Sequence, residues 1–103
     1  MFQLLPVLLG MLGGAVAAAL IMAILYYRNI IEWFQGKTML KQSDKDNIAF
    51  SIQERLTTGN IRTVQGIFNQ RHSNVLEAQA YESKTVDAEV ASLHRNNALV
   101  VYN

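Results

Sequence analysis

The chain has 103 residues, of which 50% are hydrophobic, and its nine lysines and arginines nearly balance eight aspartates and glutamates. A chain this short contains one folded domain at most, and its lack of cysteine excludes a disulfide framework and a thiolate zinc site. The basic residues form no block or stripe, so the charge pattern predicts no nucleic-acid partner.

The first predicted element is a long apolar run over residues 4–27, which contains no charged side chain. A helix over this run would be about 36 Å long, enough to cross a hydrocarbon core of about 30 Å. The run therefore predicts a transmembrane helix over residues 1–28. A cleaved signal peptide is the alternative, but the uncharged start of the chain and the apolar residues beyond Ala19 favour a retained anchor.

Small residues recur along one face of this predicted helix. Gly10, Gly14 and Ala18 stand four positions apart, and Gly13 and Ala17 form a neighbouring row. Small residues with this spacing let two helix backbones approach closely in lipid, which is the glycine-zipper type of packing. The pattern predicts a helix-packing face, although small residues are also common in membrane helices that pack against nothing specific.

The residues that follow the apolar run are typical of a membrane boundary. Four of them have side chains suited to the interface between lipid and water: Tyr26, Tyr27, Arg28 and Trp33. Lys37 and Lys41 add positive charge on this side, whereas the N-terminal flank is uncharged. The asymmetry predicts an N-terminus outside the cell and a C-terminal tail in the cytoplasm.

Residues 29–46 are predicted to form a juxtamembrane amphipathic segment and a hinge, because Ile30, Trp33 and Phe34 share one helical face. Residues 47–103 are predicted to form a small interaction module. Within the stretch 44–58 the signals conflict. Helix start and stop signals at its two ends favour a helix, while the alternation of apolar residues around Phe50 favours a strand. We favour the helix and leave the strand open.

The last third of the chain has clearer patterns. It predicts a β-hairpin from strands at 61–68 and 75–81, a helix at 86–96 capped by Thr85, and a final strand at 98–102. The core of this part is predicted to include Val90, Leu93, Leu99 and Val101. The predicted fold class is therefore a single-pass transmembrane α-helix plus a small cytoplasmic α+β tail of order (α)ββαβ.

No pattern in the sequence predicts catalysis, a cofactor or a metal. His72 and His94 lack ligand-type neighbours at helical spacing, no serine lies in a nucleophile elbow, and no glycine-rich loop precedes a helix. We therefore expect that the protein is not an enzyme and has no small-molecule substrate.

The predicted function is that of an accessory or assembly subunit of a membrane complex, acting through the small-residue face and the tail. The partners expected are other transmembrane helices, from copies of this chain or from a complex, and membrane lipid. The alternative is a self-associating membrane tether that recruits a soluble protein. A membrane-surface enzyme is the distant alternative.

Overall fold

Five strands and three short helices make up residues 19–102, the part of the chain that the computed structural model describes. The strands are β1 (Leu20–Leu25), β2 (Asn47–Arg55), β3 (Ile61–Asn69), β4 (Asn74–Val86) and β5 (Leu99–Tyr102). The helices are α1 (Tyr27–Gln35), α2 (Thr38–Gln42) and α3 (Ala88–His94).

The strands form one mixed sheet in the order β1-β4-β3-β2-β5. β3 lies at the centre and pairs antiparallel with β2 and with β4, while β5 pairs antiparallel with the outer side of β2. β1 pairs parallel with β4, so β1 and β5 are the two edge strands of the described sheet. The architecture is a mixed α/β domain.

The predicted transmembrane helix is contradicted at its C-terminal end. Leu20–Leu25 is strand β1, whose register with β4 runs from Leu20 opposite Tyr81 to Leu25 opposite Val86. Within residues 19–102, no helix is long and apolar enough to cross a membrane. The prediction of one single-pass helix over residues 1–28 is therefore wrong, and the membrane location and N-outside orientation that were predicted from that helix lose their basis. An apolar run can satisfy its backbone in a helix or in a sheet, and here β4 supplies the hydrogen-bonding partner.

Helix α1 packs its apolar face on the sheet. The Tyr26 N–H donates to Asn29 Oδ1 at 3.0 Å, which caps the start of the helix, and Gly36 is its C-cap. Ile30 is completely buried, in a cluster with Leu25, Tyr81 and Val90. Ile30 of the predicted apolar face is therefore buried within the fold, and contact of this segment with a membrane surface stays a prediction.

The helix favoured for residues 44–58 is also wrong, because this stretch contains strand β2. Nine residues of β2 lie in register with β3, from Asn47 opposite Asn69 to Arg55 opposite Ile61. Phe50 and Ser51 are both fully buried although they point to opposite sides of the sheet. A strand buried on both faces depends on its neighbours, and the local helix signals could not reveal them.

The hairpin of β3 and β4 and the final strand β5 are confirmed. The turn between β3 and β4 contains Ser73 with a φ of 52°, and β4 continues to Val86, beyond the predicted end. The N-cap of α3 is Asp87 instead of the predicted Thr85, because the Asp87 side chain accepts a hydrogen bond from the Val90 N–H at 3.0 Å. The observed element order, βααβββαβ, replaces the predicted (α)ββαβ.

Two apolar clusters form the core, one on each side of the sheet. The first consists of Phe50, Ile52, Val64, Phe68 and Ala80, and the second of Leu25, Ile30, Tyr81 and Val90. Of the predicted core residues only Val90 is fully buried, while Leu93, Leu99 and Val101 are half-buried.

Candidate functional site

The four residues predicted to mark a membrane interface lie at or within α1. The Arg28 guanidinium stands 5.2 Å from the ring centre of Tyr26, and Lys37 Nζ stands 5.3 Å from that of Trp33. Tyr27 is half-buried against the second cluster, and its N–H donates to Asp87 at 3.0 Å. The bond between Tyr27 and Asp87 ties the start of α1 to the start of α3, whereas the two cation–π contacts lie within α1 and its flanks. The four side chains do not come together as one site.

The predicted helix-packing residues cannot be placed in the same way. All five lie outside the described residues: Gly10, Gly13, Gly14, Ala17 and Ala18. Their contact with another helix stays a prediction.

The edge strand β1 exposes large apolar side chains. The exposed fraction is 52% for Leu20, 76% for Ile21 and 37% for Ile24. β1 contains no charge, proline or glycine, and no other strand within residues 19–102 pairs with its outer edge. Proteins usually protect an edge strand with lysine, proline or a bulge, because its free N–H and C=O groups can pair with another chain. β1 has none of these protections.

The other edge strand, β5, is different. It has only four residues, and all of them are partly buried. Tyr102 at its end packs against Phe34 of α1, with ring centres 5.0 Å apart. Of the two edges of the described sheet, that of β1 therefore has the more exposed side chains.

A polar network joins three residues that are far apart in the sequence. His94 Nδ1 lies 2.9 Å from the Asn97 carbonyl, which can only accept, so the ring donates there. In the neutral ring Nε2 is then an acceptor for the Ser51 hydroxyl, at 2.8 Å. The Tyr102 hydroxyl can in turn donate to Ser51 Oγ, at 2.7 Å. Each hydrogen-bond donor in this network of Ser51, His94 and Tyr102 therefore has an acceptor.

The Ser51–His94 pair resembles the geometry of a nucleophile and its base, but its position does not suit catalysis. Ser51 is fully buried, so its hydroxyl cannot meet a substrate. The network instead fixes the position of Tyr102 and ties α3 to β2 and β5. Sequence reasoning missed it because only the sheet register brings these residues together, and no local signal marks Ser51.

This network predicts a pH dependence of stability. Burial lowers the pKa of His94, while hydrogen bonds with the backbone at Asn97 and Ala98 partly oppose the shift. The unfolded chain then takes up the proton at a higher pH than the folded domain does. We expect full stability above about pH 6.5, the ordinary histidine pKa, and a falling free energy of unfolding as the pH drops below it.

Urea unfolding of the purified full chain at pH 7.5, 6.5, 5.5 and 5.0 measures this dependence. His94→Gln should flatten the decline over this range, whereas His72→Gln, in the exposed turn, should leave its slope as in the wild type. A wild-type stability that does not fall between pH 6.5 and pH 5.0 would contradict the prediction.

Two acidic residues just before β2 form ion pairs with a residue of the β3–β4 turn. Asp44 and Asp46 both pair with the Arg71 guanidinium. A hydrogen bond from the Asp46 N–H, then bonds from Asn69 and Arg71, lower the pKa of Asp44. These carboxylates are therefore engaged within the fold, and the described residues contain no cluster of three His, Asp or Glu side chains that could hold a metal ion.

Comparison of the chain with protein-family models, with curated proteins and with solved structures finds no match. The function must therefore be inferred from the geometry of the domain. Among residues 19–102, the feature most open to another macromolecule is the β1 edge, since its exposed apolar side chains lie on a strand whose outer edge pairs with no other described strand.

Proposed function

We propose that this protein is an interaction module that associates with a second copy of itself through its β1 edge. The observation that carries the proposal is the exposure of Leu20, Ile21 and Ile24 on an uncharged edge strand. Addition of a strand from another chain would satisfy the outer backbone groups of β1 and cover these side chains.

A second copy suits the β1 edge because the strand is complementary to itself. In an antiparallel pair related by a twofold axis through Met22, Leu20 of one copy lies opposite Ile24 of the other. Ile21 then lies opposite Ala23, so the most exposed side chain of the three on β1 meets a small one. No like charges oppose each other at any position of this pairing, and the sheet continues across both copies.

The expected affinity is modest. The contact covers only three partly exposed side chains on each copy, and a strand of six residues makes few backbone hydrogen bonds across the twofold axis. Association itself costs at least about 4 kcal/mol in lost freedom of motion. We therefore expect a dimer with a dissociation constant in the micromolar range, about 8 kcal/mol of binding free energy.

The test is a lysine at the centre of the proposed contact. Ile21→Lys places a charge against the second copy, so it should convert a concentration-dependent dimer into a monomer with an unchanged circular dichroism spectrum. Sedimentation equilibrium of the purified full chain over the micromolar range measures the change. Met39→Lys is the matched control, because Met39 is 87% exposed on α2, away from β1.

The register can be tested with cysteines, since the chain has none of its own. A Leu20→Cys, Ile24→Cys double variant should form a covalent dimer on mild oxidation, and Leu20→Cys with Met39→Cys should not. A wild-type monomer at every concentration, or an Ile21→Lys variant that still dimerises, would refute the proposal. A stoichiometric complex with a different protein that Ile21→Lys disrupts would support a hetero-assembly role for β1 in place of self-association.

A further inference from the structure

A cavity of about 350 Å³ lies between the sheet and the first two helices. Its floor is Ala49 of β2, with Ile67 of β3 and Tyr102 of β5 in register on its two sides. Phe34 of α1 forms a wall against the Tyr102 ring. The space exists because the central floor position has only a methyl group between two much larger side chains.

Polar groups from α1 and α2 line the other part of the cavity. Lys41 is the charged residue among them, and within residues 19–102 it forms no ion pair. Lys37, four residues earlier, is paired with Glu77 at 2.7 Å. Thr38 also lines the cavity, but its hydroxyl already donates to the Gln35 carbonyl at 2.9 Å. Lys41 is therefore the group here with an unmatched charge.

We propose that this cavity binds an amphipathic organic anion, a medium-length carboxylate. Its apolar part lies over Ala49 between Ile67, Phe34 and Tyr102, and its carboxylate accepts hydrogen bonds from the Lys41 ammonium. A volume of about 350 Å³ is near the lower end of the roughly 300–1,000 Å³ range of small-ligand pockets, which suits a medium-length chain. Cavities of this size with an apolar floor and a few polar groups are typical of small-ligand sites.

The Ser51–His94–Tyr102 network supports such a site. It holds the Tyr102 hydroxyl on the sheet side, so the ring is fixed as one wall of the cavity. The cavity lies over β3, β2 and β5, at one end of the strand order, whereas the β1 edge is at the other end. Ligand binding and self-association are therefore separate proposals, and either can fail without the other.

Isothermal titration of the full chain with decanoate and with 1-decanol, both kept below aggregation, tests the proposal. The two probes have similar apolar chains, and only decanoate has the charge. We expect one decanoate per chain, bound about tenfold more tightly than decanol, the usual worth of a charge-assisted hydrogen bond. Equal binding of the two probes, or no binding of decanoate, would overturn the proposal.

Two variants separate the contributions of the floor and the charge. Ala49→Leu adds three carbons on the floor of the cavity, so it should weaken binding of both probes at least tenfold, while the thermal midpoint of the unliganded protein is kept. Lys41→Met should weaken decanoate about tenfold and leave decanol unchanged. Lys45→Met, an exposed lysine beyond α2, is the matched control and should bind both probes as the wild type does. Unchanged decanoate binding in a folded Ala49→Leu variant would show that the ligand binds elsewhere, which would also overturn the proposal.

Discussion

Replacing Gly66 with alanine should destabilise the domain by about 2–3 kcal/mol. Gly66 lies in the central strand β3, with Phe50 of β2 and Ala78 of β4 in register on either side. A Cβ atom at this position would lie 2.6 Å from the Glu77 carbonyl oxygen and 3.0 Å from the Phe50 ring. The carbonyl belongs to the backbone of β4, so it cannot move without disturbing the sheet. A loss of this size is a large share of the stability of so small a domain.

Urea unfolding measures this loss as a lower midpoint with an unchanged slope. Gly36→Ala is the matched control. Gly36 has a φ of −70°, and the nearest atom to an added Cβ would be at an ordinary 3.4 Å. That variant should be neutral or up to about 1 kcal/mol more stable, since alanine restricts the unfolded chain. Similar midpoints for Gly66→Ala and the wild type would mean that β3 and β4 are not packed as closely as described.

Replacing Gln65 with leucine should cost about 2–3 kcal/mol, because it leaves a buried hydroxyl without its acceptor. The Tyr81 hydroxyl donates to Gln65 Oε1, and Gln65 Nε2 donates to the Ile30 carbonyl at 3.0 Å. Gln65 is fully buried, and burial also raises the pKa of Tyr81 to about 12, so the hydroxyl remains a neutral donor at ordinary pH. This amide therefore links β4 to α1 through β3.

A double-mutant cycle isolates the pair. Tyr81→Phe removes the donor, so Gln65→Leu should cost less in the phenylalanine background than in the wild type, by about 1–2 kcal/mol. Gln70→Leu, at an exposed position after β3, is the control and should change stability by less than about 0.5 kcal/mol. Additive losses in the cycle would rule out an energetic coupling between Gln65 and Tyr81.

The two proposed contact surfaces differ in how far the sequence could have indicated them. The apolar character of residues 20–25 is plain in the sequence, but an uncharged run predicts a membrane span as readily as it predicts an edge strand. The cavity over Ala49 had no local signal. An alanine in a strand is unremarkable until the register places Ile67 and Tyr102 beside it. The same holds for Ser51 and His94, which only the folded chain brings within hydrogen-bond distance.

Local patterns alone determined the hairpin of β3 and β4, the final strand and the apolar face of α1, since β-branched runs, polar turns and helical spacing act over a few neighbouring residues. Only the tertiary structure decided that Leu20–Leu25 and Asn47–Arg55 are strands. Both segments can satisfy their backbone and bury their side chains in more than one way. The outcome depends on the partner strands β3, β4 and β5, which come from distant parts of the chain.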